Sequence, residues 1–170
     1  MPTIGVSIAV PDPEGTALQD FRVALGDETA RHIPTHITLV PPTEIDQDEL
    51  APVVAHLSAI AARHQPFTVR LHGTGTFRPT SPVVFVGVIA GIEDCRGLAT
   101  SARTGPLAVD VEFPYHPHVT VAHHLDEDLL DRAFTELAGY EASFEVTRFW
   151  LYVHDERRGW RPDRAFILGE

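Results

Sequence analysis

Lysine is absent from this 170-residue chain; all 13 basic residues are arginine. Chemistry through a covalent lysine adduct is therefore excluded, including the lysyl-adenylate route of nucleotide-dependent ligases. A P-loop, which needs Gly-Lys against its phosphates, is excluded as well. Cysteine is nearly absent, and the single Cys95 rules out an intrachain disulfide framework. Long apolar runs are missing too. The longest, Val83 to Ala90, falls far short of the ~20 residues that span a bilayer. Met1-Pro2-Thr3 has no basic start and leads into no signal-type apolar core. These absences set the expectation of a soluble, reduced, cytoplasmic protein with no membrane partner. Positive charge is also scarce, leaving a net charge of −11. Such a field repels polyanions, so DNA is not an expected partner. Any nucleic-acid ligand must be small, or be held in a locally positive cleft.

What is present is ordinary in amount: 44% hydrophobic and 22% charged residues, enough for one compact domain or two closely packed lobes. The informative feature is a repeated pattern. Thr35-His36-Ile37-Thr38-Leu39-Val40 is echoed by Pro117-His118-Val119-Thr120-Val121-Ala122. In a strand, successive side chains point to opposite faces. Each segment thus offers an imidazole beside a hydroxyl on one face and branched apolar residues on the other. Random order would yield roughly one His-x-Thr in a chain of this composition. A third copy, His72-Gly73-Thr74, lacks the apolar partner and runs into Gly75, so it reads as a strand end.

The surroundings of the two copies also repeat. Ile4 to Val10 reads as a strand, Pro13 to about Leu25 as an amphipathic helix, and the first motif as a strand ended by Pro41-Pro42. Asp46 to His64 is the clearest helix, with an acidic first turn and Arg63-His64 at its end. Pro66 to Leu71 alternates as a strand. In the second half Val83 to Ala90 reads as a strand and Ile92 to Arg103 as a helix. The second motif follows Phe113-Pro114, with a helix from Asp126 to Leu137. Ala142 to Val153 reads as one long strand, and the last lies near Arg164 to Leu168. Val6 precedes His36 by about the same stretch as Val86 precedes His118. The repeat suggests a duplication folded as one unit, residues 1–170, with lobes of roughly 1–75 and 83–170 and strand exchange between them left open.

A paired His-x-Thr suits hydrolysis of a cyclic phosphate. That reaction needs a base for water, an acid for the departing ribose oxygen, and donors for the phosphoryl oxygens. Two histidines with ordinary pKa near 6.5 can share the acid and base roles. The threonines supply hydroxyls, and no metal or other cofactor is required. The same groups can run the reverse step, joining a 5′-hydroxyl to the end. Two other readings of these residues stand beside it: a non-catalytic nucleotide- or RNA-binding module, and a metal-dependent hydrolase. The latter would draw on His116, His118, His123 and His124, although no Cys or Glu completes a familiar ligand spacing.

In its two motifs, their separation and the duplicated element order, the sequence resembles the two-histidine phosphoesterases. It is most similar to the bacterial branch of 2′-5′ RNA ligases and RNA 2′,3′-cyclic phosphodiesterases. The resemblance implies an α/β fold of α+β type: bilobal, pseudo-symmetric, each lobe with a mainly antiparallel sheet and outer helices, the cleft between them. It implies catalytic roles for His36, Thr38, His118 and Thr120, with one histidine as general base and the other as general acid; of the two assignments left open, our reading takes His118 as base and His36 as acid. It also implies a metal-free site and a monomer acting on a small cyclic-phosphate nucleotide or an RNA end. Members that process RNA often carry an arginine on each side of the second motif, where this chain has Tyr115-His116 and His123-His124. Those departures and the acidic charge favour a small cyclic phosphate over a long RNA.

Further residues are candidates for binding substrate. Phe77 and Arg78 lie in a loop and could stack on a base or steady a phosphate. Tyr115 and His116 precede the second motif and could line the cleft. Trp150 and Tyr152 are expected in the core. Arg157, Arg158, Arg161 and Arg164 read first as a solvated hairpin tip, and second as a nucleic-acid patch.

Overall fold

The structure, a computed structural model, describes residues 1–108 and 114–169. Phe113, named above on the approach to the second motif, lies outside that range. The described residues form β1 (Thr3–Ala9), α1 (Glu14–Leu25), β2 (His36–Glu44), α2 (Leu50–Arg63), β3 (Phe67–Thr76), β4 (Val83–Ala90), α3 (Ile92–Ala102), β5 (His118–His123), α4 (Glu127–Glu136), β6 (Glu141–Val146), β7 (Arg148–Asp155) and β8 (Gly159–Ile167). They build two four-stranded antiparallel sheets, ordered β2-β1-β7-β8 and β5-β4-β3-β6, with helices packed on them. The α+β class expected from the sequence is the one observed. No described helix is long and apolar enough to cross a membrane.

Sheet membership does not follow the sequence halves. Strand β3, from the first half, pairs with β4 and β6, whereas β7 and β8 extend the sheet of β1 and β2. The single strand expected from Ala142 to Val153 is accordingly two. Strand β6 belongs to one sheet and β7 to the other, and the chain crosses at Thr147. The crossing inverts the buried phase, from Val146 on even positions to Phe149 and Leu151 on odd ones. Phe149 and Leu151 are therefore the fully buried pair; Tyr152 is buried as expected, whereas Trp150 is only half-buried.

Two other expectations about strand ends are corrected. Strand β2 does not stop at Pro41-Pro42 but continues to Glu44. It is an edge strand, where a residue without an N–H is tolerated, and a register shift opposite Ile4 to Val6 absorbs the prolines. Likewise β3 runs through His72-Gly73-Thr74 to Thr76. A register shift between Leu71 and Thr74 falls at Gly73, whose φ of 72° suits glycine.

The duplication is visible in the register, though displaced from the sequence alignment. Ser7 pairs with Thr38 and Ala9 with His36, while Phe85 pairs with Thr120 and Gly87 with His118. Val6 thus corresponds to Val84 rather than Val86. Both motif strands bulge directly after the threonine, at Leu39 and Val121. The bulge buries two consecutive residues, Leu39-Val40 and Val121-Ala122, so both motifs show the same burial sequence. Those residues join Ile37, Val119, Leu57 and Ile60 in the core.

Candidate active site

Strands β2 and β5 are each the edge of their sheet, and they lie against one another. The apolar alternate positions fix their facing: with Ile37 and Val119 fully buried, the imidazoles and hydroxyls point out of the core. Small neighbours, Ala9 beside His36 and Gly87 beside His118, leave room for both rings. Each histidine is then locked in the same way. His36 Nδ1 lies 2.6 Å from the Pro34 carbonyl oxygen, and His118 Nδ1 lies 2.6 Å from that of His116. A carbonyl can only accept, so Nδ1–H donates in both and Nε2 is left with its lone pair. Pro34 and Pro117 bias the residues before them toward extended backbone, which helps to aim these lead-ins.

Burial lowers the pKa of His36, against a raising hydrogen bond donated to the Pro34 carbonyl; the charge of Arg22 lowers it further. His118 is lowered first by burial and then by the charges of His116 and His36, so the two motif histidines sense one another. Beside them the half-buried Thr38 and Thr120 hydroxyls make no hydrogen bond with another described residue. Two neighbouring edge strands thus offer two basic nitrogens and two hydroxyls without a hydrogen-bond partner among the described residues.

The sequence candidates around the motifs divide. Phe77 stands edge-on to His118 at 5.0 Å between ring centroids, and His116 lies 5.6 Å from His118. Phe85 completes this aromatic cluster, 5.3 Å from His118. Arg78 is spent elsewhere: its guanidinium is 2.8 Å from Glu127 and 2.8 Å from Asp131 on α4, and its Nε donates to Thr76 Oγ1. Tyr115 is half-buried and acts as a strut. Its hydroxyl donates to the Thr38 carbonyl at 2.7 Å, under the guanidinium of Arg103, which itself donates to the Leu39 carbonyl at 2.8 Å. The second half of the chain thus fastens the edge of the first motif strand.

Some residues of the site were missed from the sequence. An open cavity of about 80 Å³ borders His36 and Thr38 and is lined also by Ser7, Pro42, Tyr152 and Trp160. Ser7 and Phe85 could have been found from their pairing with the motif threonines, had the register been known. Trp160 carried no signal beyond its type. The four histidines of the second motif region do not assemble: among the described residues no group of three or more His, Cys, Asp or Glu is placed to hold a metal ion. The rings of His123 and His124 instead lie against each other, tilted by 36° with centroids 3.7 Å apart.

The family model of the 2′-5′ RNA ligase superfamily matches residues 10–158. A Bacillus licheniformis protein, provisionally named a phosphoesterase, is 31% identical over 139 residues, covering 81% of this chain and 82% of its own. A Bacillus pumilus protein of the same provisional name is 33% identical over 140 residues, covering 81% of each. Among solved structures, E. coli LigT complexed with 3′-AMP superposes with a TM-score of 0.69 at 21% identity, over 100% of both chains. TT0787 of Thermus thermophilus gives 0.71 at 21% identity, over 99% of this chain and 98% of that one. At these identities the structural likeness speaks for the fold. With both motifs in the matched span, the chain belongs to the 2′-5′ RNA ligase superfamily and is a two-histidine phosphoesterase by family.

Proposed function

We propose that the protein is a cyclic phosphodiesterase that opens 2′,3′-cyclic phosphates of nucleotides or RNA ends without a metal ion. The observation that carries this is the matched pair of Nδ1–carbonyl locks, which leaves two Nε2 atoms beside two unbonded threonine hydroxyls. His118 Nε2 takes a proton from water as the water oxygen bonds to phosphorus. The bond from phosphorus to one ribose oxygen breaks, and that oxygen takes the proton held on His36 Nε2. The product is a phosphomonoester and a free ribose hydroxyl. Thr38 and Thr120 donate to the non-bridging oxygens, where charge accumulates. The capture of 3′-AMP by LigT supports a ligand of nucleotide size on this fold. With a 5′-hydroxyl in place of water as the nucleophile, the same groups perform 2′-5′ joining: its oxygen bonds to phosphorus, the bond to the ribose 3′ oxygen breaks, and that oxygen takes the proton from His36 Nε2.

The test is turnover of 2′,3′-cyclic mononucleotides and of cyclic-phosphate RNA ends by wild type, His36→Ala and His118→Ala. Each substitution should cost on the order of 10²–10⁴-fold in kcat, the usual worth of a positioned acid or base, with circular dichroism unchanged and EDTA without effect. Full activity in either variant would overturn the assignment. Loss of activity in EDTA, restored by one metal, would favour a metal-dependent hydrolase. Tight nucleotide binding with no product would favour a binding module.

A further inference from the structure

Side chains from the second half of the chain grip the first motif strand at two consecutive residues, and the first of these is the motif threonine. Strand β2 is an edge, so its outward carbonyls have no neighbouring strand to bond. The bulge adds to that need: Ser7 pairs with Thr38 and Val6 with Val40, which leaves Leu39 without a partner across the ladder. The Thr38 carbonyl accepts from the Tyr115 hydroxyl at 2.7 Å, and the Leu39 carbonyl from Arg103 Nε at 2.8 Å. The two donors also hold each other, with the Arg103 guanidinium 5.1 Å from the centre of the Tyr115 ring. Burial pushes the Tyr115 phenol well above its ordinary pKa, so the hydroxyl keeps its proton and donates throughout the neutral range.

Tyr115 also begins the short run that aims the other histidine. The carbonyl of its neighbour His116 accepts from His118 Nδ1 at 2.6 Å. Pro117 is buried, fixes its own φ and biases His116 toward extended backbone. Between the Tyr115 ring and His118 the chain therefore has little freedom of its own. One end of the run grips the backbone of Thr38, and the other end is His118 with its ring locked. Loosening the tie shifts the Thr38 hydroxyl relative to His118, not only within its own strand.

We propose that Tyr115 is a positioning residue: its hydrogen bond to the Thr38 carbonyl sets the span between the Thr38 hydroxyl and His118 in which one phosphoryl group is held. The inference rests on the cyclic-phosphodiesterase reading and deepens it. In that reaction Thr38 donates to a non-bridging oxygen while His118 activates water for attack on the same phosphorus. Both groups must therefore meet one centre from two different strands, and a misplacement near 1 Å costs up to about 10²-fold in rate. The Tyr115 ring packs against the core and its hydroxyl is committed to backbone, so it acts through Thr38. Arg103 supports it by bonding the next carbonyl and covering the ring.

The test is a double-mutant cycle on adenosine 2′,3′-cyclic phosphate, with Tyr115→Phe, Thr38→Val and the two combined. Tyr115→Phe should lower kcat by about 10- to 100-fold with KM little changed, in protein that chemical denaturation shows to be folded. In the Thr38→Val background the same change should cost little, because the hydroxyl it positions is gone. Arg103→Met releases the adjacent carbonyl and should follow the same pattern; it takes the place of Tyr115→Phe if that variant does not fold. Undiminished kcat in the folded variant, or an equal loss in both backgrounds, would overturn the proposal. Should wild type turn over no cyclic phosphate, the functional reading fails by itself. Crystal structures of wild type and Tyr115→Phe then decide the tie: a Thr38 hydroxyl displaced relative to His118 by about 0.5 Å or more supports it, and an unmoved one overturns it.

Discussion

His36 and His118 are alike in tautomer and in the direction of their pKa, and that likeness constrains their pH behaviour. Burial pushes both below the ordinary 6.5, so both are neutral in the free protein at pH 7. A reaction that needs one protonated and one neutral imidazole runs best between the two free-enzyme pKa values. The kcat/KM profile for a cyclic mononucleotide should therefore peak on the acid side of pH 6.5. The bound anion favours a protonated imidazole, so the kcat profile should lie higher. A kcat/KM maximum above about pH 7.5 would contradict the burial argument. Stability has its own sign. A histidine with a depressed folded pKa adds stability that is fully present above pH 6.5 and lost as pH falls below it, because the unfolded chain then binds more protons. Tyr115 and Arg78 carry a different lesson. Both were candidate ligand contacts by type and position, and the fold uses one as a strut and the other as an ion-paired anchor.

Strands β2 and β5 show which parts of the fold were legible and which were not. His-x-Thr with flanking apolar residues encodes its own facing, since alternation is a local property of a strand. The helices announced themselves through periodicity and acidic first turns. Hidden from local reading were the shared bulge after each threonine, the passage of β2 through Pro41-Pro42, and the crossing at Thr147. Each depends on which strand lies alongside, and that is decided by partners distant in sequence. Gly75 is a case of the same kind. It sits opposite Phe85 across β3 and β4, and a Cβ there would stand 2.5 Å from Phe85 Cζ. Phe85 is held between Phe77 and His118, at 4.7 Å and 5.3 Å between ring centroids. Gly75→Ala should therefore press the ring toward the histidine. We expect overpacking to cost about 1–3 kcal/mol in chemical denaturation, with a larger fractional loss in kcat than in folded protein. Unchanged kcat with unchanged stability would show that Phe85 has room to move and does not brace His118.

The charge of the whole molecule opposes that of its expected substrate. The net −11 acts on every phosphate of an approaching ligand. Four arginines, Arg157, Arg158, Arg161 and Arg164, nonetheless gather exposed along the β7–β8 hairpin, whose tip is tied by Asp155 accepting from the Arg157 and Arg158 amides. That hairpin also carries Trp160 to the cavity beside His36. Two fields therefore compete at the mouth of the site: a diffuse negative one and a local positive one. Salt separates them, because the screening length falls from about 30 Å at 0.01 M to about 8 Å at 0.15 M. If the diffuse field dominates, kcat/KM for an oligonucleotide ending in a cyclic phosphate should rise several-fold over that range. The value for a cyclic mononucleotide, with a single negative charge, should change little. A fall with salt for the oligonucleotide, abolished in Arg158→Ala/Arg161→Ala, would instead mean that the hairpin draws an RNA strand toward the cleft. The net charge and the motif surroundings favour the first outcome, because no arginine flanks the second motif to continue a positive track from the hairpin to His118.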